Sequence, residues 1–266
     1  MKMTRLGPYD LNTIVVGDCL DVMTRMPNGC VDLVFADPPF NLGKKYGKDK
    51  DRRVDYWQWV KRWLEECWRV LNTTGSFYYM CLPQHLPFAL PLMELWGIFR
   101  NVIIWKNATG AHQANYRYWP KYQPIIFYSR DGNTYNAGAQ VDPSATRRWD
   151  DKMGYKFKGR MGDMWLDIPF VYAGSIIHKE AIIEPGTKRK VHPCQMPEGL
   201  AERAILHSTN KDGLVFDPFI GSGTTAVAAD RLGRNFFGCD ISAPYVEMGL
   251  ERIAGDRKKR AQLELF

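Results

Sequence analysis

The sequence predicts an α/β fold in which a mostly parallel sheet binds its ligands at the carboxyl ends of the strands. One apolar run stops at Asp217, and a glycine-rich turn and a helix-like segment follow it. A second strand-like run, 235–240, also ends in an aspartate. Much earlier in the chain, the apolar run 31–36 stops abruptly at Asp37. Strands that end in polar tips and alternate with helices are typical of such a sheet.

The remaining elements follow from hydrophobic periodicity and from turn residues. In chain order, the predicted strands are 13–16, 31–36, 75–80, 101–105, 124–128, 213–217 and 235–240. Helices are predicted up to about Met26 and over 56–71, 84–96, 198–207 and 226–232. Apolar residues recur at helical spacing over 56–71, so its tryptophans are expected to pack in the core.

Composition limits the class of protein. The chain has 266 residues, is 45% hydrophobic and carries a net charge of +7, which allows a large core and favours a polyanionic partner. Its six cysteines are scattered without a C-x-x-C pair, so we expect reduced core thiols and no metal site. No apolar segment reaches membrane-spanning length and no signal-peptide pattern is present, so we expect a soluble cytoplasmic protein without a membrane partner.

Basic and aromatic residues concentrate in three irregular stretches. Residues 41–55 are predicted to form a mobile basic loop, and 132–187 an insertion outside the sheet. Interleaved basic and aromatic side chains suit phosphate clamping and base stacking. A solvated loop with aromatic anchors explains the linker around Tyr118 equally well. The candidate DNA-binding residues are Lys44, Lys45, Arg117, Tyr118, Trp119, Arg147, Arg148, Lys156 and Lys158.

The glycine-rich turn predicts a site for a nucleotide-like ligand. Gly221 and Gly223 would let a ligand touch the backbone beside a helix N-terminus, and Asp240 could accept the hydroxyls of a ribose. The spacing also fits a dinucleotide fingerprint. That alternative is disfavoured because few residues follow Asp240, so the other strands must come from upstream.

The tetrapeptide Asp37-Pro38-Pro39-Phe40 predicts a second binding function. The Asp37 carboxylate and the Pro38 carbonyl could each accept one N–H from a planar amino group. Holding both hydrogens favours a pyramidal nitrogen and directs its lone pair towards an electrophile. Phe40 would stack on the ring that carries the amine. A simple turn after a strand remains the alternative for this motif alone.

Together these segments resemble the amino-group DNA methyltransferases in their beta arrangement, in which the catalytic motif precedes the cofactor motif. The resemblance runs from Ile14 to about Ser242, with the 132–187 insertion as its exception. Its five matching segments, in the expected order, are 17–19, 37–40, 192–197, 217–225 and 238–242.

The resemblance implies a circularly permuted, Rossmann-like fold with a seven-stranded, mostly parallel sheet that includes an antiparallel hairpin. Residues 1–131 would form the catalytic half, 132–187 a target-recognition insertion, and 188–266 the cofactor-binding half. The implied cofactor is S-adenosylmethionine. Its implied contacts are Asp18, Cys19, Asp37, Phe219, Gly221, Ser222, Gly223, Thr224, Asp240, Ile241 and Ser242, and the implied catalytic residues are Asp37, Pro38, Pro39 and Phe40.

An aspartate-led tetrapeptide in this family goes with adenine N6, so the resemblance implies adenine methylation of DNA, with the target base flipped out of the helix. Cytosine N4 methylation, RNA methylation and an inactive DNA-binding relative are the alternatives. A homodimer and a partner restriction nuclease are further expectations from the resemblance. Met196 stands where the family often has lysine. Cys194 lies upstream of the cofactor loop, which disfavours a role as a cytosine-C5-type nucleophile.

Overall fold

A computed structural model describes residues 4–46, 49–106, 118, 120–140, 149–150, 155–156, 160–169 and 195–263. The strands of the main sheet are β1 (Thr13–Val16), β2 (Val31–Ala36), β3 (Leu71–Met80), β4 (Ile98–Lys106), β5 (Tyr122–Ser129), β6 (Met164–Trp165), β7 (Leu214–Asp217) and β8 (Asn235–Asp240). The helices are α1 (Cys19–Met23), α2 (Tyr56–Val70), α3 (Leu86–Met93), α4 (Glu198–Ser208), α5 (Thr224–Arg231) and α6 (Ala243–Leu263), with a short 3-10 turn at Pro83–His85.

The strands lie in the order β6-β4-β5-β3-β2-β7-β8-β1. Only β5 runs antiparallel to its neighbours, β3 and β4. The prediction of a mostly parallel sheet with one antiparallel hairpin is therefore confirmed.

The strand count was wrong by one, because the described residues form a sheet of eight strands rather than seven. The additional strand, β6, pairs in parallel with Ile104 and Trp105 of β4. It lies within 132–187, which the sequence predicts to be outside the sheet. Two residues are too few for a periodic signal. Burial of the Trp165 side chain, which is 4% exposed, fixes the strand against the sheet edge.

Helices cover both faces of the sheet. Helices α1, α2 and α3 pack against one another and into one apolar cluster, while α4, α5 and α6 pack into the other. Helix α2 is an example: Val60, Trp63, Leu64 and Cys67 recur at helical spacing and are fully buried, as the sequence predicts. No described helix is both long and apolar enough to cross a membrane.

The region predicted as a mobile basic loop contains a small hairpin instead, with Lys45–Tyr46 antiparallel to Asp49–Lys50. Its neck is closed by Asn41, whose side chain accepts from the Arg53 N–H at 2.6 Å and donates to the Arg53 carbonyl at 3.1 Å. Two further antiparallel pairs lie outside the main sheet, Arg5–Leu6 with Tyr9–Asp10 and Trp149–Asp150 with Tyr155–Lys156.

The central pairing of the sheet joins distant parts of the sequence. Strands β2 and β7 are parallel neighbours, with Leu33 opposite Val215 and Val34 opposite Phe216. Because parallel strands end at the same edge, the segments that follow β2 and β7 emerge side by side. This pairing positions the site described next.

Candidate active site

Four adjacent strands each place an aspartate at the same edge of the sheet. Asp37 follows β2, Asp217 ends β7, Asp240 ends β8, and Asp18 follows β1. All four line one cavity of about 680 Å³. Gly221 lines it as well, so the early strand tip and the late glycine turn meet in a single cleft.

Three of these aspartates are satisfied by the same local hydrogen bond. Each accepts the backbone N–H of the residue two positions later: Leu20 for Asp18 at 2.9 Å, Phe219 for Asp217 at 2.9 Å, and Ser242 for Asp240 at 2.8 Å. Such bonds are common where Asp begins a turn.

Asp37 cannot make this bond, because the residue two positions later is Pro39, which has no N–H. Its Oδ1 atom is buried and has no hydrogen-bond partner among the described residues. Burial, and then the charge of Asp217, raise the pKa of Asp37 to about 8, while Lys44 acts in the opposite direction. The two prolines therefore leave a buried acceptor without a partner on a residue that lines the cavity.

Neighbouring aromatic residues fix the tetrapeptide. The buried Tyr56 hydroxyl at the start of α2 donates to the Pro39 carbonyl at 3.1 Å. The Phe40 ring lies edge-on to His85, with ring centroids 6.3 Å apart. Pro38, Pro39 and Phe40 all line the cavity, as the sequence predicts.

The glycine turn after β7 is shaped by Asp217, a residue that the sequence analysis did not assign to the site. Its second carboxylate oxygen accepts from the Thr225 hydroxyl at 2.6 Å, which ties the strand end to the first turn of α5. Burial raises the pKa of Asp217 to about 7, against the opposing effect of the bonds from Thr225 and Phe219. The sequence offers one signal for this role, which is the position of Asp217. It ends an apolar strand, just as Asp37 directly follows one.

The structure gives Gly223 a packing role that the sequence does not predict. It is not among the residues that line the cavity, whereas Gly221, Ser222 and Thr224 are. Its φ of +80° and a Cβ position only 2.9 Å from the Gly249 Cα explain why a glycine is needed there. The missing side chain lets the turn pack closely against α6.

The far wall of the cavity contains the predicted residues Asp18, Cys19, Asp240, Ile241 and Ser242. Asp240 also accepts from the Gly221 N–H at 3.1 Å, so it braces the glycine turn. Burial raises the pKa of Asp240, although the bonds from Ser242 and Gly221 oppose the shift. Each of its oxygens retains a second lone-pair site for a hydroxyl donor.

One side of the cavity is formed by residues 51–55 with Tyr56 and Trp59. None of these residues was assigned to the site, although the 41–55 loop is expected from the sequence to close over the target and the cofactor. Arg53 lies over the Trp59 ring, 5.2 Å from its centroid. The helical periodicity of residues 56–71 indicated a face that packs in the core. Periodicity alone cannot distinguish a face that packs in a core from one that lines an apolar cavity. Gln195, Met196 and Tyr245 are further lining residues that were not assigned.

The candidate DNA-binding residues are only partly described. Lys44 is exposed, and Tyr118 is fully exposed. Lys45 and Lys156 lie in the short hairpins. Arg117, Trp119, Arg147, Arg148 and Lys158 lie outside the described residues, as does Cys194. In the part of the chain that is described, no cluster of three or more His, Cys, Asp or Glu side chains could hold a metal ion.

The family model described as "DNA methylase" (N6_N4_Mtase) matches residues 31–251. The chain is 33% identical to the DNA adenine methyltransferase YhdJ of Escherichia coli (strain K12), over 94% of this chain and 85% of that protein. It is 30% identical to the type II methyltransferase M.BglII of Bacillus subtilis, over 92% of this chain and 70% of that protein.

Solved structures share the fold. A putative DNA modification methylase from Thermus thermophilus, crystallised with S-adenosyl-L-methionine, superposes with a TM-score of 0.63 at 22% identity, covering 92% of this chain and 93% of that chain. The cytosine-N4-specific PvuII DNA methyltransferase superposes with a TM-score of 0.65 at 17% identity, covering 92% and 91%.

Proposed function

This chain belongs to the N6_N4_Mtase family of DNA methylases, and we propose that it transfers a methyl group from S-adenosylmethionine to the N6 amino group of adenine in DNA. The observation that carries the proposal is the buried, unpartnered Oδ1 of Asp37, a residue that lines the same cavity as Gly221 of the glycine turn. A buried acceptor without a donor is costly and suits a ligand that brings an N–H group.

The cavity fits the proposed cofactor. A volume of about 680 Å³ accommodates a nucleoside with an amino-acid tail. Asp240, at the end of β8, would accept ribose hydroxyls, and Asp18 would accept the adenine amino group. When bound, the cofactor supplies an electrophilic methyl group. Asp37, whose pKa of about 8 keeps it protonated near neutrality in the ligand-free protein, would ionise more readily beside the positive charge of that cofactor.

The protein's part in methyl transfer is to hold and orient the amine. Asp37 and the Pro38 carbonyl accept its two N–H groups, and Phe40 stacks on the base. The Tyr56 hydroxyl bond to Pro39 keeps the Pro38-Pro39 backbone in place while the base enters. No covalent link between enzyme and base is needed, since the amine itself is the nucleophile.

Adenine is proposed over cytosine because the tetrapeptide begins with aspartate and because YhdJ is a DNA adenine methyltransferase. Cytosine N4 is the second candidate, since the PvuII enzyme with the same fold is cytosine-N4-specific. Mass spectrometry of nucleosides from DNA treated with enzyme and cofactor separates the two. N6-methyladenine is expected. N4-methylcytosine alone would refute the target, and methylation confined to RNA would refute the substrate.

Two substitutions test the assigned roles. Asp37→Ala should slow methyl transfer by at least about 100-fold, because it removes an acceptor used by the amine. Asp240→Ala should weaken cofactor binding by about tenfold, measured by calorimetry, because the ribose loses an acceptor. Normal methylation by Asp37→Ala would rule out the mechanism.

A further inference from the structure

The wall of the cavity near the glycine turn has an unusual charge arrangement. Among the described residues, the cationic side chains that line the cavity are Arg52 and Arg53, both on the segment before α2. The wall formed by Gln195, Met196, Ser222 and Thr224 presents hydroxyls, an amide and a thioether instead. A cation nevertheless lies directly behind that wall.

This cation is Arg252 of α6, whose side chain is only 16% exposed. Its Nη1 donates to the Ser222 carbonyl at 2.7 Å, to the Thr224 hydroxyl at 3.1 Å and to the Ser222 hydroxyl at 3.3 Å. Its Nη2 donates to Glu198 at 2.9 Å, which joins the glycine turn to the start of α4. One side chain from α6 therefore holds the turn, α5 and α4 together.

The direction of these bonds has a chemical consequence. A guanidinium group only donates, so the Thr224 oxygen must act as acceptor towards Arg252, and its O–H is left to donate elsewhere. The acceptor within the protein is the Met196 carbonyl, at 3.5 Å, the outer limit for a hydrogen bond. A carboxylate in the cavity would be a much better acceptor.

We propose that Arg252 is a positioning residue that orients the Thr224 hydroxyl as a donor towards the carboxylate of the cofactor's amino-acid tail. This inference rests on the proposed cofactor. It goes further by naming the residue that orients the hydroxyl donor for the cofactor's carboxylate. The N-terminal N–H groups of α5 act in the same direction, since a helix N-terminus favours an anion. Arg252 does not line the cavity, so it would act on the cofactor through Thr224.

The test compares two ligands that differ in the tail alone. S-adenosylhomocysteine carries the amino-acid tail, and methylthioadenosine keeps the nucleoside and sulfur without it. Calorimetry should show Arg252→Met binding S-adenosylhomocysteine about tenfold more weakly and methylthioadenosine with less than about a twofold change. Arg252→Lys, which keeps the charge but cannot span the same acceptors, should show a smaller selective loss. If Arg252→Met does not fold, as judged by circular dichroism, Arg252→Lys decides the comparison.

A matched control lies further along the same helix. Arg257 pairs with Asp230, and neither residue lines the cavity. Arg257→Met should therefore leave both affinities unchanged. Thr224→Val should reproduce the selective loss of Arg252→Met, and the double variant should lose little more than either one, because both act through one hydroxyl.

Equal losses for the two ligands, or additive effects in the double variant, would overturn the role of Arg252 while leaving the proposed function standing. Failure of the unaltered protein to bind S-adenosylhomocysteine would overturn both. The two failures are thus distinguishable within a single set of titrations.

Discussion

The ionisation of Asp37 should make the stability of the ligand-free protein depend on pH, and Asp37→Asn should remove that dependence. The substitution keeps the shape of the side chain but removes its titration. In the folded protein, burial and the Asp217 charge raise the pKa of Asp37 to about 8. In the unfolded chain an aspartate titrates near pH ~3.9.

The sign and size of this pH dependence follow from the two pKa values of Asp37, in the folded and the unfolded chain. Between about pH 4 and 8 the folded state holds more protons on Asp37 than the unfolded state does, so stability falls as pH rises. One proton corresponds to at most ~1.4 kcal/mol per pH unit, or about 2.7 kcal/mol between pH 5 and 7. Asp37 is partly exposed apart from its Oδ1 atom, which reduces this free-energy change. We therefore expect its contribution to the free energy of unfolding to fall by roughly 2 kcal/mol between pH ~5 and ~7. Asp217, with a pKa of about 7, adds its own slope, which remains in the variant.

Urea denaturation at pH 5, 6 and 7 measures the effect directly. The free energy of unfolding of the unaltered protein should fall by roughly 2 kcal/mol more than that of Asp37→Asn. Asp256→Asn is the control. Burial raises the pKa of Asp256, but Arg231 and Arg260 outweigh burial and lower it below its usual range, so it stays ionised throughout. Its curve should run parallel to that of the unaltered protein. Equal slopes for Asp37→Asn and the unaltered protein would refute the idea that this carboxyl is buried without a partner.

Two other substitutions test the strand-end turns. Gly223→Ala should lower stability by about 2 kcal/mol or more in thermal denaturation, because φ is +80° and the new Cβ would meet the Gly249 Cα at 2.9 Å. Gly132→Ala, at φ +68° with open space around the Cβ, should cost only about 1 kcal/mol, and an equal cost at both sites would contradict the packing argument. Pro39→Ala should supply the missing N–H to Asp37, lower its pKa and slow methyl transfer. A pH–stability profile unchanged from that of the unaltered protein would contradict this expectation.

The sequence predicted the parts of the fold that have strong local signals. Strand β8 ends where expected because an apolar run stops at Asp240, and α2 is found because apolar residues such as Val60, Leu64 and Cys67 recur at helical spacing. The neighbouring positions of β2 and β7 carry no local signal, since the strands are far apart in the chain. That pairing came from the resemblance to a known family.

The residues that were missed have physical reasons in common. Strand β6 is two residues long, so only its contact with β4 makes it a strand. The wall formed by residues 51–55 is held by the exchange of hydrogen bonds between Asn41 and Arg53, which connects residues twelve positions apart. Arg252 carries no local signal of its role, because its contacts to Ser222 exist only after α6 packs on the glycine turn. Each depends on tertiary contacts that periodicity does not contain.

A comparison of Asp37 with Asp217 and Asp240 explains why Asp37 is the one of the three that is suited to hold the amine. Asp217 and Asp240 are bound by the N–H two positions later, and each accepts a further bond, from Thr225 and Gly221 respectively, so their orientation is fixed by the protein. Asp37 occupies the equivalent position on β2, but Pro39 withholds the N–H that would satisfy it. The prolines therefore do more than stiffen a turn. They convert a common structural aspartate into a buried acceptor whose donor must come from the substrate, at a cost in stability that grows with pH.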